Sequence, residues 1–135
     1  MTQNYKTVLI VEDSPVQALA LEYLLEQEGF KVLCAPDGRS GVTMAQQHAP
    51  DVVILDIEMP EMNGFEVCRR LRENAQTADI PIVMLTAHSE VSMVMQGIDL
   101  GAIDFIPKDA FSETVLLETL RQLHILNDAQ AAAEP

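Results

Sequence analysis

The sequence predicts an α/β fold, an open and doubly wound parallel sheet of five strands in the order 2-1-3-4-5 with helices on both faces. Three observations predict it. Short apolar runs alternate five times with longer amphipathic stretches along the 135 residues. Several of the runs are apolar without a break, as strands covered on both faces are. Every connection is long enough to hold a helix, and right-handed crossovers between parallel strands then set the order.

The first run, TVLIV (7–11), leads into a helix with Ser14 as N-cap, Pro15 at its first position and Gly29 at its end. Val16, Leu19, Ala20, Tyr23 and Leu24 are predicted as its buried face. KVLCA (31–35) is the second strand. The second helix covers about 39–48, turns Val42, Ala45 and His48 or Ala49 inward, and stops before Pro50. VVIL (52–55) is the third strand and ends on Asp56. The third helix opens at Asn63-Gly64, buries Phe65, Cys68 and Leu71, and frays through NAQTAD (74–79). PIVML (81–85) is the fourth strand and reaches Thr86; the fourth helix spans about 89–100, with Gly101 behind it. DFI (104–106) is the fifth strand. The fifth helix runs from Ser112 as N-cap to about Leu126 and buries Leu116, Leu117, Leu120 and Leu123. One domain, residues 1–126, is expected, with NDAQAAAEP (127–135) as a flexible tail or the start of a linker.

Composition narrows the function classes. Apolar residues make up 48% of the chain, enough for one substantial core. No apolar run approaches the roughly 18 residues of a membrane span. The N-terminus MTQNYKTVLIVED has no basic region before its apolar patch and meets acids directly after it, unlike a secretory signal. Cys34 and Cys68 show neither metal-ligand nor C-x-x-C spacing, so they read as core-filling thiols of a cytoplasmic protein. A net charge of −13 argues against direct nucleic-acid binding and for partners that are proteins or cations.

In sheets of this kind ligands bind beyond the carboxyl ends of the strands, where the strand order reverses. The first strand ends on Glu12-Asp13, the third on Asp56, the fourth on Thr86, and the fifth is followed by Lys108. Three acids, a hydroxyl and a lysine therefore converge. Two carboxylates ~4 Å apart repel by about 4 kcal/mol at an effective dielectric near 20. One lysine does not offset three acids, so a hard divalent cation is expected, Mg²⁺ or Mn²⁺ with oxygen ligands. A cation, a lysine and a hydroxyl together suit a phosphoryl group, and the central Asp56 is the natural nucleophile.

The segments VLIVEDSP, VVILDIEMPEMNGFEVCRRLR, IPIVMLTA and GAIDFIPK resemble the receiver domain of bacterial two-component response regulators over roughly residues 6–126. The resemblance implies a flavodoxin-like fold that takes a phosphoryl group from a sensor histidine kinase or a phosphotransfer protein. It implies no enzyme beyond phosphorylation and dephosphorylation of its own aspartate. Asp56 matches the phosphoacceptor, Asp13 the direct Mg²⁺ ligand, and Glu12 an acid acting through water. Asp56 and the backbone carbonyl of Glu58 complete the protein ligands. Lys108 matches the lysine that pairs with phosphoryl oxygens, Thr86 the switch hydroxyl and Phe105 the aromatic switch. The resemblance also implies that Glu58 and His88 flank the path of the water that removes the phosphoryl group. The resemblance implies that the fourth helix, fifth strand and fifth helix form the output face toward an unidentified partner, an attached domain or a second copy of the chain.

Two positions depart from that pattern: Asp109 follows Lys108 where proline is usual, and Phe105 stands where tyrosine is common. On the output face, Val91, Met93, Val94, Met95 and Ile98 exceed what one core-facing stripe uses, which marks Met93 or Met95 as exposed contacts. Three other readings fit the sequence less well. A haloacid dehalogenase-type phosphohydrolase carries its Asp-x-Asp after the first strand, whereas Asp56-Ile57-Glu58 follows the third. A flavin-binding electron carrier needs a phosphate cradle, which the acidic EDSPVQ loop (12–17) does not offer. A degenerate scaffold would lack some of the key positions, and all are present.

Overall fold

The computed structural model describes residues 5–87, 91–102, 104–108 and 112–123. The strands are β1 Thr7–Val11, β2 Lys31–Ala35, β3 Val52–Asp56, β4 Ile82–Thr86 and β5 Asp104–Pro107. The helices are α1 Pro15–Gln27, α2 Gly38–His48, α3 Gly64–Glu73, α4 Val91–Asp99 and α5 Ser112–Gln122. The described strands form one parallel sheet in the order β2-β1-β3-β4-β5, so the predicted topology holds and strand bounds agree to within a residue.

The unbroken apolar runs are the central strands. Val8–Val11, all of β3 and all of β4 are buried. Alternate residues feed opposite faces, as a pleated strand requires. Leu9, Val11, Val53, Leu55, Ile82 and Met84 pack with Ala45 of α2 and Phe65, Cys68 and Leu71 of α3. Val8, Ile10, Ile54, Val83 and Ile106 pack instead with Leu25 of α1 and Leu116 and Leu120 of α5. Each fully buried Leu or Ile contributes on the order of 1.5–3 kcal/mol against leaving it exposed.

Side-chain caps fix three helix starts. Ser14 Oγ accepts the Gln17 N–H at 3.3 Å, Asp37 Oδ1 that of Ser40 at 2.7 Å, and Asn63 Oδ1 that of Glu66 at 3.0 Å. Gly29 and Gly101 stop α1 and α4 at φ 93° and 95°, in the left-handed region where a side chain would be strained. Cys34 is half-buried and Cys68 buried, both free, and burial pushes both thiols up, as inert core thiols should be.

Two predicted faces need correction. On α1, Val16, Leu19 and Tyr23 are exposed by 78%, 66% and 66%, whereas Leu25 is fully buried and Leu21 partly so. The inward stripe is Ala18, Leu21 and Leu25, with Leu24 half-buried beside it. Both stripes have helical spacing and both are apolar, so spacing alone does not select between them. On α2, Ala45 and Val42 face inward as expected, but His48 and Ala49 are exposed, and Gly38 and Gly41 are buried in their place. A Cβ on Gly41 would stand 2.8 Å from Val11 Cγ2, so the helix rests directly on β1 there.

Arg72 carries a structural role that reading the sequence did not find. Its Nη1 donates to the carbonyls of Ala78 and Ile80 at 2.8 and 2.7 Å, and its Nη2 to that of Gly101 at 2.7 Å. It thereby ties the end of α3 to the turns before β4 and β5. Against β5, Phe105 lies over Gly97 of α4, where a Cβ would come within 2.0 Å of the ring.

Candidate functional site

The carboxyl ends of β1, β3, β4 and β5 share one edge, and the predicted side chains are found there. The carboxylates of Glu12, Asp13 and Asp56 each offer an oxygen within 4.8 Å of the others. Glu12 and Asp56 are nearly closed off from solvent, at 3% and 6% exposure, while Asp13 is exposed. Lys108 reaches in from the end of β5, with Nζ 3.0 Å from Glu12 Oε1 and 3.3 Å from Asp56 Oδ1. Its backbone N–H donates to the Thr86 carbonyl at 2.6 Å, which fixes where the side chain starts. Thr86 is buried at the last residue of β4.

The loop after β3 is shaped around Asp56. Its Oδ1 accepts the Glu58 N–H at 3.2 Å, and the exposed Glu58 side chain points away from the core. Gly64 N donates to the Ile57 carbonyl at 2.9 Å. A Cβ at position 64 would lie 2.6 Å from the Asp56 carbonyl oxygen, so only glycine lets α3 begin this close to the acid. Sequence reading took Asn63-Gly64 as a turn signal, and the contact gives it a second reason.

Burial is the largest influence on Glu12 and pushes its carboxyl up; Lys108 and the Ser14 N–H, donated to Oε2 at 3.2 Å, pull it back down, and Asp56 pushes it up again. Three carboxylates share this edge with the single ammonium of Lys108, so the cluster lacks positive charge. Hard oxygen donors of this number suit a divalent cation of the Mg²⁺ type.

His88 and Asp109, both singled out by the sequence, lie outside the described residues. Phe105 is half-buried on β5, next to the helix that forms the predicted output face. There Met95 and Ile98 are exposed by 55% and 54%, as the surplus of apolar residues on α4 predicted for Met95; the side chain of Met93 lies outside the described residues. A recess of about 270 Å³ opens beside the acids, lined by Glu12, Gln17, Ala20, Leu21, Leu85, Lys108 and Glu113. A larger one, about 610 Å³, sits between the starts of α2 and α3 and touches none of the converging groups. Of its three acids, Asp37 caps α2 and Glu66 pairs with Arg69 and Arg70 on its own helix, and Glu61 stands exposed in the loop before α3.

Gln17 is the site residue that sequence reading missed. Its Oε1 accepts from Lys108 Nζ at 2.7 Å. The signal available was Ser14-Pro-Val-Gln17, a serine cap followed three residues later by glutamine.

The family described as response regulator receiver domain matches residues 8–121. PilH of Pseudomonas aeruginosa is 40% identical over 109 residues, which are 81% of this chain and 90% of PilH. Several other curated relatives are longer, and the chain spans half or less of their length. Among solved structures, the Vibrio cholerae chemotaxis protein CheY4 is 34% identical with a TM-score of 0.83, covering 88% of this chain and 98% of CheY4. The receiver domain of the sensor histidine kinase PA1611 from Pseudomonas aeruginosa, solved with a magnesium ion in its active-site cleft, is 26% identical with a TM-score of 0.80, covering 88% of this chain and 97% of that one.

Proposed function

The chain belongs to the response regulator receiver domain family and serves phosphorelay signal transduction, and on that premise we propose that Asp56 is its phosphoacceptor, served by Glu12, Asp13, Thr86 and Lys108. The observation that carries this reading is the meeting of three carboxylates within 4.8 Å, with Lys108 3.3 Å from the central one. The chemistry of the domain is confined to loading and unloading its own aspartyl group.

Asp56 Oδ1 is engaged by the Glu58 N–H and Lys108, which leaves the second oxygen for attack on phosphorus. The P–N bond of a phosphohistidine breaks, imidazole leaves with the electron pair, and an acyl phosphate remains on Asp56. Lys108 pairs with the arriving phosphoryl oxygens and the Thr86 hydroxyl turns onto them. Mg²⁺ (or Mn²⁺), held by Asp13, Asp56 and the Glu58 carbonyl and by Glu12 through water, would offset the charge of the acids and the phosphoryl oxygens. The magnesium ion in the cleft of the PA1611 receiver domain supports the same ion here. Water later attacks the phosphorus, inorganic phosphate leaves and the carboxylate is restored, at a rate that Glu58 and His88 are proposed to tune.

The phosphodonor is a sensor histidine kinase or a phosphotransfer protein, and its docking site includes the outward stripe of α1. Val16, Leu19 and Tyr23 are exposed apolar residues on the helix that starts two residues after Asp13. They offer a phosphohistidine donor an apolar surface on the helix that follows the first two acids. Leu19→Asp is expected to cut the rate of transfer from a phosphohistidine protein on the order of tenfold, with phosphorylation by acetyl phosphate unchanged. Equal losses with both donors would mean that the stripe does not serve docking.

The signal leaves through α4, β5 and α5, toward an output partner, an attached domain or a second copy of the chain. The coupling is a two-state packing change in which Thr86 moves onto the phosphoryl group and Phe105 turns into the space it leaves. Met95, Ile98 and Val115 already stand exposed on this face. Hydrogen exchange with and without beryllofluoride should show altered protection within 87–111 and little in α1 and α2. A change confined to α2 and β2 would place the output elsewhere. Nucleic-acid binding by the chain itself is not expected at a net charge of −13. Among the described residues no helix is long and apolar enough to cross a membrane, and a cytoplasmic location fits the two free cysteines.

A further inference from the structure

Lys108 is held by one more residue than the reading above requires. An ammonium has three N–H donors. Here Gln17 Oε1 lies at 2.7 Å, Glu12 Oε1 at 3.0 Å and Asp56 Oδ1 at 3.3 Å. The nearest of the three is a neutral amide on α1, not a carboxylate.

The local geometry explains why that amide is available. Gln17 is the third residue of α1, after the Ser14 cap, and in a serine-x-x-glutamine start the glutamine oxygen usually accepts the N–H of the capping residue. Half of that arrangement is present, since Ser14 Oγ accepts the Gln17 N–H at 3.3 Å. The other half is taken over by Glu12, whose Oε2 accepts the Ser14 N–H at 3.2 Å. One carboxylate thus bridges Ser14 and Lys108, and the Gln17 oxygen turns to the lysine.

We propose that Gln17 is a positioning residue for Lys108: it holds the ammonium in the unphosphorylated state and is released when a phosphoryl oxygen takes its place. The inference rests on the reading of Lys108 as the partner of the phosphoryl group. Gln17 and Glu12 accept two of the three N–H donors and Asp56 lies against the ammonium as an ion pair, so an arriving phosphoryl oxygen competes with these partners for the lysine. Gln17 carries no charge and faces the open recess beside the acids, so parting from it loses the least Coulomb attraction. The bond therefore sets a small barrier to loading Asp56, adjustable at a residue that is neither an acid of the cluster nor the nucleophile.

Two substitutions of similar shape separate this from a structural role. Gln17→Met removes the acceptor and is expected to raise the rate of phosphorylation by acetyl phosphate roughly two- to fivefold. Gln17→Glu keeps the acceptor, adds charge and is expected to lower the rate by a similar factor. A direct readout is independent of turnover. The sequence has only three lysines, Lys6, Lys31 and Lys108, so side-chain ammonium signals in ¹⁵N-lysine NMR can be assigned with Lys108→Arg. The Lys108 signal should sharpen and exchange slowly in the native chain, and broaden or vanish in Gln17→Met while those of Lys6 and Lys31 stay unchanged. Rates that move in the same direction for both variants, or a Lys108 signal indifferent to Gln17→Met, would overturn the proposal. If the native chain takes up no phosphoryl group, the reading of Asp56 fails, and the ammonium signal still decides whether Gln17 holds Lys108.

Discussion

Asp56→Asn is expected to leave the chain without any phosphoryl group after incubation with acetyl phosphate and Mg²⁺, read as an unchanged intact mass. The substitution preserves shape and keeps an oxygen to accept the Glu58 N–H, which Asp56 Oδ1 holds at 3.2 Å. It removes the nucleophile, since a carboxamide oxygen does not attack phosphorus at a useful rate. It also removes one charge from three acids within 4.8 Å, where each pair repels by about 3 kcal/mol at an effective dielectric near 20. Lys108 retains Glu12 and Gln17 as partners. The variant should therefore melt no earlier than the native chain when no cation is present, so that lost phosphorylation is not mistaken for lost folding. Retained phosphorylation would remove Asp56 from the role proposed for it.

Asp13→Ala is expected to weaken Mg²⁺ binding at least tenfold, about 1.4 kcal/mol, with little change in the stability of the cation-free fold. The two parts follow from one observation: Asp13 is the exposed member of the acid cluster, while Glu12 and Asp56 are buried. An exposed side chain is cheap to truncate, within about 0.5 kcal/mol, yet a missing charged ligand is costly to a hard cation. The chain has no tryptophan, so titration calorimetry is the suitable measurement. The rise in melting temperature with Mg²⁺ concentration offers a second, because a ligand that binds only the folded state stabilises it by mass action. Lys108→Ala should behave oppositely, with Mg²⁺ affinity unchanged or tighter, as a competing positive charge beside Glu12 and Asp56 is gone. Loss of Mg²⁺ binding in Lys108→Ala would assign the lysine a structural part instead.

The strands and the site edge were legible because the buried strands carry little but apolar residues, and each stops on a residue that departs from that pattern. Val8–Val11 runs into Glu12, and Val52–Leu55 into Asp56. The face of α1 was not legible. Its sequence PVQALALEYLLEQ is apolar nearly all round, so two stripes compete and only packing against the sheet selects Leu21 and Leu25 over Leu19 and Tyr23. On α3 the charges of Glu66, Arg69, Arg70 and Glu73 mark the outer face, and Phe65, Cys68 and Leu71 are legible as inward residues, whereas the equally buried Val67 is not.

Arg72 escaped notice for a different reason. Its partners are backbone carbonyls of Ala78, Ile80 and Gly101, and a carbonyl leaves no trace in a sequence. Gly97 resembles any glycine in a helix until the ring of Phe105 is seen against it. Gln17 stands between these cases: its capping position could be read from Ser14, but its turn toward Lys108 depends on Glu12 taking the Ser14 N–H first.

Chemical mapping of the acceptor reaches furthest into the account. The chain is loaded with acetyl phosphate in the presence of Mg²⁺, the acyl phosphate is reduced with borohydride, and the peptides are sequenced by mass spectrometry. An aspartyl phosphate becomes homoserine at the residue that carried it. The arrangement of Glu12, Asp13, Asp56 and Lys108 predicts homoserine at position 56 alone, absent when Mg²⁺ is chelated. Homoserine at another aspartate, or an undiminished yield in excess chelator, would contradict it.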